Sequence, residues 1–134
     1  MLQFNQIQKG NYLIASNDGD ELRGEVSNVK NGEQQVCLNI GVQEFWYEMN
    51  QLKAIALNEA ELINLKFIKQ PLEDGAVKYL KGAFRILFNK PNDFNQFEIW
   101  YRDEHRKIHK PLMVHELQNH FYEMTKVHLN DIAY

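Results

Sequence analysis

Cysteine is almost missing from this chain. Cys37 is the single one in 134 residues, which excludes an internal disulfide and any cysteine-based zinc cluster. It falls in a strand pattern, where a buried, inert thiol is the default. Proline (three) and glycine (seven) are also sparse. No flexible linker, repeat or low-complexity tract interrupts the chain. No apolar run approaches the roughly 20 residues of a transmembrane helix. Met1 to Gln8 carry no basic residue and lead into no apolar run, so a signal peptide is not expected and the chain reads as cytoplasmic, without membrane association. Charge of one sign is lacking too: the net charge is −3 with a pI of about 5.9. That argues against bulk attraction to nucleic acid or anionic lipid and leaves only a local basic patch open. There is no glycine-rich phosphate loop and no Ser or Cys in a nucleophile-elbow context. No cofactor is implied.

What is present is an ordinary globular composition, 44% hydrophobic and 25% charged, which predicts a packed core. Short alternating segments dominate. Tyr12 to Ser16 read as a first strand, followed by the dense turn Asn17-Asp18-Gly19-Asp20. Leu22, Gly24 and Val26 alternate inward in a second strand, and Val29 falls out of that phase, which predicts a bulge near Ser27-Asn28. Asn31-Gly32 reads as a type I′ hairpin turn. Val36, Leu38 and Ile40 form strand three; Phe45, Tyr47 and Met49 form strand four; Lys53 to Leu57 suit a fifth. Five short strands joined by tight turns predict a small SH3-like barrel.

Asn58 then caps a short helix, with Glu61 placed to complete a capping box; Leu62, Leu65 and Phe67 are its buried edge, and Gln70-Pro71 closes it. Beyond lies a meander through Val77–Tyr79, Phe84–Phe88 and Phe97–Tyr101, with Arg106 to His109 as an edge strand. The expected fold is α+β: residues 1–57 as the SH3-like lobe, and residues 58–134 as a helix, an antiparallel meander and a covering C-terminal helix.

That last helix is expected from Pro111 to about Leu129, with Asn130 as its stop. At about 100° per residue, Met113, Val114, Leu117, His120, Phe121, Met124, Val127 and His128 share one broad face. His115, Gln118, Asn119, Tyr122, Glu123 and Lys126 share the other. His115, Asn119 and Tyr122, with Gln118 beside them, form an outward polar stripe suited to contact with a protein partner. His115-Glu116 followed by His120 does not make a zinc-protease motif. Its histidines stand at i and i+5, about 140° apart, where i and i+4 would be needed.

One local cluster is both basic and aromatic. Trp100, Arg102, Arg106, Lys107 and Lys110 can supply phosphate contacts and a stacking ring, or can be a solvated hairpin tip with a guarded edge. His105, His109 and His115 are the remaining candidates for metal-assisted chemistry. Phe45, Trp46 and Tyr47 read as wall aromatics of the small barrel, a type that also uses exposed aromatics to hold extended peptides.

Three stretches resemble one family. Ile7 with Gly10-Asn11-Tyr12 is similar to the Leu-Arg-x-Gly-Asn-aromatic opening of a group of small uncharacterised proteins from Bacteroidetes genomes, phages and mobile elements. Ile55-Ala56-Leu57-Asn58-Glu59, with Leu62, Leu65 and Phe67, resembles that group's Ile-Pro-Leu-Thr-Glu signature and short leucine-rich helix. Ala56 replaces the usual Pro, and Asn58 replaces the usual Thr while keeping a cap. Val114-His115-Glu116-Leu117-Gln118-Asn119 with Tyr122 resembles its Val-His-x-Leu-Gln-Asn helix. The resemblance implies a shared fold and a phage or mobile-element context, with no activity attached. The expected function is a non-enzymatic protein-interaction module. Nucleic-acid binding through residues 100–110, a metal-assisted enzyme and self-association are the alternatives.

Overall fold

The computed structural model describes residues 2–129. The fold is α+β, and the described residues form two five-stranded antiparallel sheets and two α-helices. It divides into two compact units: residues 1–55 with 113–119, and residues 56–112 with 120–134. Residues 113–119, expected in the second lobe, therefore belong to the first unit.

In the first unit, β1 (Tyr12–Asn17), β2 (Asp20–Lys30), β3 (Gln35–Asn39), β4 (Glu44–Glu48) and β5 (Leu52–Lys53) stand in the order β4-β3-β2-β1-β5. The described sheet has two open edges, β4 and β5, and is not closed into a barrel. Alternation puts Leu13, Ala15, Val26, Val36, Leu38 and Tyr47 into one core with Ile7 and Leu52. The bulge lies where the phase slip put it. Val26 pairs with Leu38, Asn28 with Cys37, and Ser27 is the extra residue.

The turn chemistry differs from expectation. Asp18-Gly19, between the paired Asn17 and Asp20, is the two-residue turn with both φ values positive, at 52° and 87°. Asn31-Gly32 instead opens a four-residue loop between the paired Lys30 and Gln35, and its left-handed residue is Gln34 at φ 51°. The longer loop shifts the need for positive φ from the Asn-Gly pair to the loop's last residue.

Cys37 is buried on β3, opposite Trp46 of β4. Gly24 permits a close approach: a Cβ there would lie 3.0 Å from the Asn39 carbonyl and 3.1 Å from Leu38 Cβ.

In the second unit α1 spans Glu59–Asn64, and the Asn58 side chain accepts from the Glu61 amide as its cap. The helix ends in a Schellman motif. The Lys66 amide donates to Ile63 O, the Phe67 amide to Leu62 O, and Lys66 is left-handed at φ 71°.

Gln70-Pro71, expected to close the helix, lies beyond its end. It completes β6 (Ile68–Pro71), an edge strand paired with β7 (Val77–Lys81). Proline is tolerated there because the edge asks for no donor on its outer side. β8 (Phe84–Phe88), β9 (Phe97–Tyr101) and β10 (Glu104–Ile108) continue the meander in the order β10-β9-β8-β7-β6.

Phe84, at the centre of the core, packs 6.1 Å from Phe67 and 4.7 Å from Phe121 between ring centroids. Buried Lys81 donates to the carbonyls of Leu65 and Leu129, at 2.8 and 3.0 Å. Burial pushes its pKa down, and the Lys66 charge adds to that.

α2 spans Val114–Thr125, three residues later than expected at its start. Before it, the Leu57 amide donates to Leu112 O, and the Val114 amide donates to Ile55 O. These bonds hold the backbone extended past Pro111. The Glu116 carboxylate in the first turn accepts from the Met113 amide. The helix stops at Thr125 because Lys126 turns left-handed at φ 63°, its amide donating to Tyr122 O. Asn130, the expected stop, lies outside the described residues. Among the described residues no helix is long and apolar enough to cross a membrane.

Candidate functional site

The expected outward stripe on α2 is not outward. His115 and Gln118 are buried at 2% and 5% exposure, Asn119 is half-buried, and Tyr122 alone is exposed. The reason lies at the opening of the chain. Gln118 Nε2 donates to Gly10 O, and the Tyr12 amide donates to Gln118 Oε1, both at 2.8 Å. Asn119 Nδ2 donates to Gln6 O at 2.7 Å and its Oδ1 accepts from Asn11 Nδ2 at 3.0 Å. Asn11 Oδ1 accepts in turn from the Gln8 amide. Gly10 at φ 91° makes the bend that lets this segment be gripped.

Carboxamides suit the task because each presents a donor and an acceptor to a backbone that needs both. The Gly-Asn opening and the Gln-Asn helix thus form a single latch inside the first unit. The Ile55–Val114 backbone bond belongs to the same unit.

His115 stands apart from the latch. Neither ring nitrogen has a hydrogen-bond partner, and burial holds its pKa below the ordinary 6.5, partly opposed by Glu116. Tyr122 stacks on His128 with centroids 4.5 Å apart.

The basic and aromatic segment of the second unit is split between surfaces. Arg106 Nη1 donates to Glu123 Oε1 and lies 2.8 Å from His120 Nδ1, while its other nitrogens reach Glu104. It is committed to ion pairs. Lys107 lines a shallow groove with Asn89, Glu98 and His109, and Lys110 is exposed beyond β10. Residues 100–110 therefore present no continuous phosphate-binding row.

Trp100 and Arg102 do line one pocket, together with residues that the sequence did not single out. On the outer face of the sheet, Lys78 stands opposite Leu87 and Arg85 opposite Trp100. With Arg102 and Asp103 of the β9–β10 turn they line a pocket of about 440 Å³. Period-two alternation of β7 and β8 was the signal that could have found Lys78 and Arg85.

The histidines do not assemble. His105 Nε2 lies 3.0 Å from Glu98 Oε1, and its ring stacks on Trp100 at 3.9 Å. His109 lies just past β10, in the groove of Lys107, and His115 is buried. Among the described residues no three His, Cys, Asp or Glu side chains are grouped to hold a metal ion.

A third surface is the edge of the first sheet. Among the described residues β4 pairs only with β3, and of its five residues only Tyr47 is buried. Phe45 and Trp46 are 42% and 39% exposed, and Val42 in the preceding turn is fully so. The Lys30 ammonium sits 4.5 Å from the centre of the Trp46 ring.

No protein-family model matches this chain, and neither a curated protein nor a solved structure matches it.

Proposed function

We propose that this protein is a non-enzymatic interaction module that takes an extended segment of a partner protein along β4. The observation that carries the reading is an edge strand with a free hydrogen-bonding side and large apolar residues left in water. Such an edge is a template for an added strand, and native proteins usually blunt it. Backbone pairing would supply affinity, and Phe45 and Trp46, on opposite faces of the strand, would supply specificity. Glu44 and Glu48 flank them, so the fitting segment carries basic residues between apolar ones.

The strand order of the first unit, with a short 3-10 turn at Met49–Gln51 just before β5 returns to β1, supports reading it as a relative of SH3-like small barrels that is left open at the β4 edge. The phage or mobile-element context implied by the family resemblance belongs to the same proposal.

The test is hydrogen exchange on the complex with a captured partner, using wild-type protein beside a Phe45→Ser, Trp46→Ser variant of unchanged circular dichroism. We expect protection at the amides of β4 and loss of capture by the variant. Protection confined to other strands, or undiminished capture by the variant, would overturn the assignment.

A further inference from the structure

The outer face of the second sheet carries a different chemistry from the β4 edge. Its pocket is lined by three cationic residues, Lys78, Arg85 and Arg102, with Trp100 and Leu87, and Asp103 is the only carboxylate in the lining; the Arg102 guanidinium carbon rests 5.2 Å from the centre of the Tyr101 ring. In a chain of net charge −3, that local excess of positive charge runs against the whole.

Among the described residues none of the three cations is in an ion pair, whereas the nearby Arg106 engages Glu104 and Glu123. Arg85 is the most telling. Its Nε is buried without a partner. Its Nη2 reaches only the Arg102 carbonyl, at 3.4 Å, and its guanidinium carbon lies 5.8 Å from the centre of the Trp100 ring. A buried guanidinium N–H normally finds an acceptor, because leaving it unmade costs free energy.

Arg102 sits in the left-handed region at φ 53°. A non-glycine residue pays for that conformation, and here it belongs to a residue that lines the pocket.

We propose that this pocket binds a phosphate dianion, free or carried as a monoester. Three cations against one carboxylate leave two positive charges, which match the two negative charges of that group. A guanidinium fork suits its geometry. A volume of about 440 Å³ falls in the range of small-ligand sites, about 300–1,000 Å³, so there is room for more than phosphate. Leu87 and Trp100 offer apolar wall to a ring carried on the phosphate. His105 already stacks on Trp100, and Arg85 lies over the same ring, so neighbouring side chains crowd its faces. That favours a compact ligand seated beside Trp100 over a strand of bases threaded across it.

The chain has two tryptophans, so a Trp46→Phe background makes Trp100 the sole indole reporter. Its fluorescence is titrated with adenosine 5′-monophosphate, inorganic phosphate, adenosine and a thymidine oligonucleotide. The result is checked by calorimetry in that background and in Lys78→Gln, Arg85→Met and Arg102→Gln variants. We expect saturable binding of the phosphorylated probes and none of adenosine. Affinity should fall by about tenfold or more for each lost cation. Lys78 and Arg102 are not among the buried residues, so Lys78→Gln and Arg102→Gln carry the test should Arg85→Met fold poorly. Tighter binding of the nucleotide than of phosphate names a nucleotide as the source, and equal binding names free phosphate; both sustain the site. Binding of neither at millimolar concentration, affinity unmoved by Lys78→Gln and Arg102→Gln, or binding of the oligonucleotide alone would overturn it.

Discussion

Burying an imidazole with no partner has a cost that depends on pH. His115 is held neutral by its surroundings, its pKa pushed below 6.5 by burial. In the unfolded chain it takes up a proton near its ordinary value, so between the two values the unfolded state binds more protons than the folded one. Stability then rises with pH across that window and is flat above it. We expect the urea midpoint to fall as pH drops below about 6.5, with a slope of up to about 1.4 kcal/mol per pH unit from this group. His115→Leu should flatten that slope; an unchanged pH profile in the variant would mean another group is responsible.

Gln118 makes the opposite case, a buried polar group with both ends satisfied. Gln118→Leu should cost about 2–4 kcal/mol, since it strands the Gly10 carbonyl and the Tyr12 amide. Urea unfolding reads this directly. A helical wheel cannot place such residues. It sorts side chains by polarity, and Gln118 is polar whether it meets water or a backbone segment 108 residues earlier. In the sequence the two halves of the latch are short polar stretches with no local signal that joins them.

Local chemistry made most elements readable. The Asn58 cap, the bulge at Ser27 and the in-out alternation of β7 to β9 follow from rules that act within a few residues. Element ends followed tertiary bonds instead. α2 starts late because Val114 is bonded to Ile55, and β6 was hidden because four exposed residues ending in proline carry no alternation.

Where a helix ends by bending left-handed, the residue type sets the strain. Lys66 holds that position in α1 at φ 71°, with its side chain exposed. Lys66→Gly should therefore stabilise the protein by up to about 1 kcal/mol, because glycine enters this region without steric penalty. Removal of a surface charge or greater freedom of the unfolded chain would have to exceed that gain to reverse the sign. A lowered thermal midpoint would show that they do.

Across the whole molecule, sequence order and spatial units do not coincide. The first unit needs residues 113–119 as well as 1–55. A fragment of residues 1–57 would keep all five strands of its sheet but lose Gln118, Asn119 and the Val114 amide. We expect it to show a collapsed NMR spectrum without the dispersion of the intact chain. A well-dispersed spectrum would mean that the latch is dispensable. Lobe boundaries drawn along the sequence miss this, because the helical pattern of α2 runs unbroken through the point where its residues change allegiance.

The single thiol turns the first sheet's edge into a clock. Cys37 lies buried on β3, and among the described residues β4 is the only strand beyond it. A thiol reagent reaches it when that strand lifts away, so the labelling rate counts how often the sheet frays from that side. A ligand strand laid along β4 would slow the count without touching the sulfur.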